Sequence, residues 1–237
     1  MRLTVIGCSP AWPNPGGAHS GYLVEETGRL LLDCGPGVLP RLRGQGGWPA
    51  VDAIAITHLH LDHWGDLVPW AWGLLYGPGS GTSRPSLHLP PGGRQALAGI
   101  GDLLGSAHVF DQAFEIAEYA HGEPFEAAGL SLTALRVPHY VADAYGFRAE
   151  SGSALLAYSG DTAPGEEVVA VGRDADLFLC EATLEAPETG RRGHLTLAEA
   201  AAASEAAGAR RLLVVHRSVE LDSAPYEAAR EGLVVEV

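Results

Sequence analysis

The sequence predicts an α+β chain arranged as an αββα four-layer sandwich, two packed sheets with helices on their outer faces. Three observations carry this. Short apolar runs of strand length come in an early and a late series, each interleaved with helical segments. No low-complexity linker divides the 237 residues, so one domain over 1–237 is expected. A chain 46% hydrophobic and 19% charged has ordinary globular composition.

Residues 2–7 (RLTVIG) read as the first strand. The apolar run after Arg2 is too short for a signal peptide, and no run is long enough to cross a bilayer, so a cytoplasmic protein is expected. CSPAWPNPGGAHSG is a loop by its Pro and Gly content. Strands at 22–25 and 29–33 join through Glu26-Thr27-Gly28 as a hairpin, and the second closes in LLLDCGPG. A short helix at 38–43 and the connector GQGGWPA lead to an apolar strand at 51–56. The run 64–76 is apolar enough for a buried helix despite Pro69, its aromatic rings forming core or pocket wall rather than a base-stacking platform. A strand at 86–89 and a helix at 92–104 follow. Strands are expected at 110–119 and 130–137, then a hairpin of 144–150 and 153–158 across Ser151-Gly152. After a helix at 166–172 and a strand at 177–180, the Ala-rich stretch 195–208 reads as a helix, with Thr196 as N-cap and Glu199 at the capping-box spacing. A strand at 212–215, a surface segment and a last strand at 233–237 complete the chain.

The densest chemistry lies in Thr57-His58-Leu59-His60-Leu61-Asp62-His63, where a strand ends. His58 and His60 alternate with leucines, so both can point to one side of an extended segment. Imidazole and carboxylate donors at this density suit Zn²⁺ and similar divalent ions. His139, Asp161 and His216 each follow a later apolar strand as well. Seven potential ligands on strand ends are what a preorganised site needs.

The three cysteines, Cys8, Cys34 and Cys180, form no CxxC pair and sit in or beside apolar runs, so buried free thiols are expected. Net charge is −14, and all fifteen basic residues are Arg. That balance argues against a broad nucleic-acid landing surface and agrees with a small anionic substrate.

The HxHxDH run closing a strand resembles the metallo-β-lactamase fold superfamily of binuclear metal hydrolases. LLLDCGPG, the single Asp of SGDT, and GHLT ahead of the final VVHR resemble its ribonuclease Z and cyclic-nucleotide phosphodiesterase branch, over nearly the whole chain. The resemblance implies two mixed β-sheets flanked by helices and two divalent ions. Zn²⁺ fits the ligands, and Mn²⁺ or Fe²⁺ can take the same set. It assigns His58, His60 and His139 to one ion, Asp62, His63 and His216 to the other, and Asp161 to both. Two ions about 3.5–4 Å apart hold a shared water as hydroxide, which Asp62 also orients.

The same resemblance gives His194, in GHLTLAEAA, a contact with the scissile phosphate and a role in assisting the leaving oxygen; the other reading is a capping or surface histidine. Asp33 is expected to orient the HxHxDH loop, or else to cap the helix that begins near Gly37. His19 is either a substrate contact or a piece of loop structure. His88, His108 and His121 carry no motif. Arg148 and Arg217 are the arginines nearest to motifs. A homodimer is expected from the relatives.

These assignments point to a phosphodiesterase acting on a small phosphodiester such as a cyclic nucleotide. The alternatives are a ribonuclease Z-like tRNA 3′-end endonuclease, a hydrolase of another small ester (lactone or thioester), or a metal-bound sensor with little turnover. One departure decides between the first two. Ribonuclease Z carries a basic Gly/Pro-rich arm that grips tRNA, whereas here the segment between Leu104 and His139 is short and acidic.

Overall fold

The computed structural model describes residues 1–44, 46–152 and 154–237. Gln45, in the predicted connector, and Ser153, the predicted first residue of a strand, lie outside the described residues. The strands are β1 (Arg2–Gly7), β2 (Gly21–Glu25), β3 (Arg29–Leu32), β4 (Ala53–Ala55), β5 (Ser86–Leu89), β6 (Glu115–Glu118), β7 (Pro124–Ala127), β8 (Leu130–His139), β9 (Ala142–Ser151), β10 (Ala154–Tyr158), β11 (Leu177–Glu181), β12 (Leu212–Val215), β13 (Glu227–Ala228) and β14 (Val234–Glu236). The helices are α1 (Val38–Gly44), α2 (Leu61–Trp64), α3 (Leu67–Tyr76), α4 (Gly93–Leu103), α5 (Val109–Ala113), α6 (Glu166–Gly172) and α7 (Leu197–Ala207).

Two seven-stranded sheets form, in the orders β14-β1-β2-β3-β4-β5-β6 and β13-β12-β11-β10-β9-β8-β7. Both are mixed. The first is antiparallel from β14 to β3 and parallel from β3 to β6. The second is antiparallel from β7 to β10 and parallel from β10 to β13. Parallel neighbours need crossovers, and the helices supply most of them.

Side-chain alternation explains why the strands are apolar on both faces. Leu30 and Leu32 of β3 face the core between the sheets, with Leu132, Phe147, Leu156, Leu179 and Leu213 from the second sheet. Leu31, between them, faces the layer under α1, α3 and α5, with Leu39, Trp70 and Phe110. Phe178 and Val214 face the opposite outer layer, with Val171 of α6 and Ala200 of α7. The expected four-layer sandwich is therefore the observed one.

Local expectations needed correction in three places. Residues 110–119 are not one strand: α5 occupies the first part and β6 the second. Val109, Phe110, Ala113 and Phe114 are all buried, and that spacing makes one helical face. The helix expected over 64–76 begins only at Leu67, as α3, and a separate turn, α2, precedes it and carries Asp62 and His63. Asp66 accepts the Leu39 amide of α1 at 2.7 Å, and Pro69 falls in the first turn of α3, where its missing N–H costs nothing. The edge strands β7 and β13 were not anticipated, because PFEA and a two-residue pairing carry little pattern. Thr196 and Glu199 do form the capping box at the start of α7. Among the described residues, no helix is long and apolar enough to cross a membrane.

Candidate metal centre

Both sheets end in loops at the same edge of the sandwich. His58, His60, Asp62 and His63 follow β4. From the second sheet, His139 ends β8, Asp161 follows β10 and His216 follows β12. The structure brings all seven together as two donor groups. One is His58, His60, His139 and Asp161; the other is Asp62, His63, Asp161 and His216; within each group all donor atoms lie within 4.8 Å of one another. Asp161 belongs to both. Its Oδ2 lies 3.8 Å from His58 Nε2 and 3.3 Å from His63 Nε2, and its Oδ1 lies 3.4 Å from His216 Nδ1. Asp62 Oδ2 is 3.3 Å from His63 Nε2 and 3.1 Å from His216 Nε2.

The donor set fits divalent cations on two grounds. First, His58 Nε2, His63 Nε2 and Asp161 Oδ1 are buried polar atoms with no hydrogen-bond partner; an apolar core would leave them at a cost, whereas a cation satisfies them. Second, the outward nitrogens are already engaged. His63 Nδ1–H donates to Asp33 Oδ2 at 2.7 Å, His139 Nδ1–H to the Gly193 carbonyl at 2.6 Å, and His58 Nδ1–H to the Thr57 hydroxyl at 3.1 Å. These bonds fix the tautomers and leave Nε2 of each ring aimed inward.

Electrostatics follow the same map. Burial pulls the His58 pKa well down, so its ring is neutral and able to ligate. Burial also opposes ionisation of Asp62, but hydrogen bonds and charge from His216 and His63 outweigh it and hold the carboxylate far below its usual range. Asp161 is buried too, and the His216 and His63 charges nonetheless keep it ionised.

Asp33 is bonded to the loop that carries the HxHxDH run. It accepts the Thr57 amide at 2.8 Å, the Thr57 hydroxyl, His63 Nδ1–H, and the Tyr158 hydroxyl at 2.8 Å. It holds this position at φ 59°, a conformation that costs an aspartate some strain. The carboxylate bonded to the first turn of α1 is that of Asp66.

His194 stands beside the second donor group. Its Nδ1 is 2.9 Å from Glu181 Oε1 and 4.0 Å from Asp161 Oδ2, and its ring stacks on His216 at 5.7 Å. Burial lowers its pKa, but Glu181 first, then Asp161 and Glu188, more than offset this and raise it to about 9. Glu181 is the residue the sequence reading missed. It is fully buried at the end of β11, where it accepts the Thr162 amide at 2.8 Å and the Thr183 hydroxyl at 2.7 Å. The signal was available: LFLCE puts a carboxylate on the tip of an apolar strand, as LLLD does for Asp33.

The remaining candidates lie outside this cluster. His19 is buried, its Nδ1 bonded to the Pro10 carbonyl at 2.8 Å, in a loop packed close to Gly35 and the Asp62 backbone. Arg148 donates to the Val171 and Arg173 carbonyls at the end of α6, so it caps a helix instead of lining the site. Arg217 lines a cavity of about 620 Å³ with Leu184, Thr196 and Glu220. His88 packs against Phe125 in the core, and His121 accepts the Arg136 amide. All three cysteines are free and buried, and burial foremost pushes the Cys8 thiol up to about 12, which suits no nucleophile.

Comparison with known proteins agrees with this architecture. A family model described as a beta-lactamase superfamily domain matches residues 28–217. The uncharacterized protein Rv1339 of Mycobacterium tuberculosis is 33% identical over 232 residues, covering 91% of this chain and 80% of that protein. The probable metallo-hydrolase YhfI of Bacillus subtilis is 31% identical over 219 residues, covering 91% of this chain and 86% of its own. The crystal structure of YhfI matches 99% of this chain and 98% of that one, with a TM-score of 0.84 and 24% identity. Human tRNase Z, short form, matches 100% and 99%, with a TM-score of 0.77 and 22% identity.

Proposed function

The chain belongs to the beta-lactamase superfamily, and from that premise we propose that it is a binuclear metal-dependent phosphodiesterase acting on a small phosphodiester such as a cyclic nucleotide. The observation that carries this reading is the Glu181–His194 pair, 4.0 Å from the carboxylate common to both donor groups. An imidazolium there offers a positive charge to an anionic phosphoryl group and a proton to a departing alkoxide. Two divalent ions, Zn²⁺ by donor chemistry, would be held by the two groups that share Asp161 and would supply Lewis acidity and a water of lowered pKa. Asp62, whose carboxylate is shared between His63 and His216, would accept a hydrogen bond from an attacking water there. Asp33, Thr57 and the Gly193 carbonyl hold the imidazoles so that this geometry exists before substrate arrives.

The preference for a small substrate rests on what surrounds the site. From Leu104 to Leu130 the chain is taken up by α5, β6 and β7 with short connections, and no arm projects among the described residues. Its acidic residues Glu115, Glu118 and Glu123 are exposed. Beside His60 lies a small cavity of about 250 Å³ with a mainly apolar wall of Leu59, Pro90, Pro91 and Ala142.

The test is turnover by metal-quantified protein on 3′,5′-cyclic AMP, 2′,3′-cyclic AMP and a 3′-extended tRNA precursor. Cleavage of a cyclic nucleotide with inert tRNA is expected. Efficient tRNA cleavage would instead favour the ribonuclease reading suggested by the likeness to tRNase Z. No cleavage by protein carrying two metals would move the search to lactones and thioesters. The substitution His194→Ala should lower cyclic-nucleotide turnover by about 100-fold or more at unchanged metal content. Hydrolysis of bis(4-nitrophenyl) phosphate, whose leaving group needs no proton, should fall much less; equal losses on both would remove the acid role from His194.

A further inference from the structure

We propose that Tyr140 is a positioning residue for His194, acting through a brace that ties the loop 188–193 to the β8–β9 turn; the inference rests on the phosphodiesterase reading only for its kinetic consequence. Tyr140 sits in the two-residue turn between β8 and β9, directly after the candidate ligand His139. Its φ is 45°, a left-handed conformation that a bulky side chain adopts only when its surroundings enforce it. The surroundings here are the loop that carries His194. The Tyr140 hydroxyl donates to Glu188 Oε1, and Glu188 Oε2 accepts the Gly193 amide at 3.1 Å. The Tyr140 amide donates to the Arg192 carbonyl at 3.1 Å. Through the neighbouring residue, His139 Nδ1–H donates to the Gly193 carbonyl. Both peptide groups that flank Gly193 are thus tied to the β8–β9 turn, one residue before His194.

Packing says the same. The Tyr140 ring lies 5.1 Å from the His139 ring and 5.6 Å from the His194 ring, edge-on to the latter. A Cβ at residue 193 would fall 2.2 Å from a Tyr140 ring carbon, so the close approach of loop and ring requires glycine there. On the far side, Arg192 forks onto Glu199 at 2.6 and 2.8 Å, fixing the loop to α7. His194 is therefore held by Glu181 from below, by α7 on one flank and by Tyr140 on the other. Glu181 sets the charge of the ring, and Tyr140 sets where the loop lets it stand.

Tyr140→Phe removes one hydroxyl and keeps the ring. On cyclic AMP it should lower kcat about 10-fold, with KM within about twofold and metal content unchanged. In a His194→Ala background the same substitution should cause no further loss, because a residue acting through His194 has nothing left to position. An equal loss in both backgrounds would overturn the proposal, as would an unchanged kcat. Amide exchange gives a readout that needs no turnover: the Gly193 amide should exchange at least 10-fold faster in Tyr140→Phe than in the wild type. If the wild type cleaves no phosphodiester while Gly193 exchange still accelerates, the reaction has been misread and the brace stands. If Gly193 stays protected, the brace is wrong whatever the substrate. Glu188→Gln leaves one acceptor oxygen for the Tyr140 hydroxyl and the Gly193 amide together, so one of the two bonds is lost, and it provides the comparison should Tyr140→Phe fold poorly.

Discussion

Glu181 and His194 show how much one buried pair determines. The carboxylate takes hydrogen bonds from the Thr162 amide, the Thr183 hydroxyl and the Leu195 amide, so it cannot turn away from the imidazole. Its charge keeps His194 protonated up to a pKa of about 9, although burial alone would drive the proton off. The direction of the consequence is fixed. A group needed in its acid form loses activity as pH rises through its pKa, so the alkaline limb of kcat should lie near 9 in the wild type. Glu181→Gln removes the largest raising influence, and the limb should move down by one unit or more, so that kcat at pH 9 falls roughly fivefold or more while kcat at neutral pH changes little. A pH–rate profile on cyclic AMP reads this directly, and an unmoved limb would detach Glu181 from the role. At this scale the sequence was legible where chemistry is dense. Four donors within His58–His63 leave few readings, and the resemblance they carry points to the three distant strand-end residues that the fold brings beside them. Glu181 could have been read as a carboxylate on a strand tip; Glu188 and Tyr140 were not legible, because one carboxylate or one phenol in a loop has many ordinary uses. Only the fold shows that they gather around His194 and its loop.

Among the elements, α7 carries the clearest local logic. Thr196 accepts the Glu199 amide and Glu199 reaches back to the Thr196 amide, so two of the orphan donors of the first turn are satisfied reciprocally. Glu199 also holds the Arg192 fork, and that ion pair first, with the Thr196 bonds, lowers its pKa to about 2. The carboxylate therefore favours the folded state above its ordinary range, near 4.5, and this contribution disappears as pH falls toward 2. The side chain is only partly buried, so screening still holds the pair's worth to about 1 kcal/mol. Glu199→Gln should destabilise the chain by about that much near neutral pH. Denaturant titrations should show the gap to wild type closing between about pH 4.5 and 2; a gap independent of pH would mean that the box, not the charge, does the stabilising. Such elements are readable because capping chemistry is local. The region of α5 was less so. VFDQAFEIAE offers both a helical face and a strand-like alternation, and only burial of Val109, Phe110, Ala113 and Phe114 together against α3 and the first sheet decides between them.

At the scale of the whole molecule, the site is a clasp between the two sheets. His58, His60, Asp62 and His63 belong to the first sheet's edge; His139, Asp161 and His216 belong to the second's. Each donor group draws on both, since His139 and Asp161 complete the first and Asp161 and His216 complete the second. Unfolding separates the sheets and scatters the donors, so ions bound here would stabilise the native state far more than the unfolded one. For one site held at a thousand times its Kd the contribution is about 4 kcal/mol. In a chain of 237 residues each kcal/mol moves Tm by roughly 2–4 °C. Stripping the metal with a chelator should therefore lower Tm by roughly 8–16 °C for each site emptied, and adding Zn²⁺ back should restore it. Asp161→Asn weakens the shared ligand of both groups, so this variant should start from a lower Tm and lose less on chelation. Calorimetry with elemental analysis before and after chelation checks both. A protein that loses its metal with Tm unchanged would place the bound ions somewhere other than between the sheets, and the seven-residue cluster would then need another explanation for its unpartnered buried atoms.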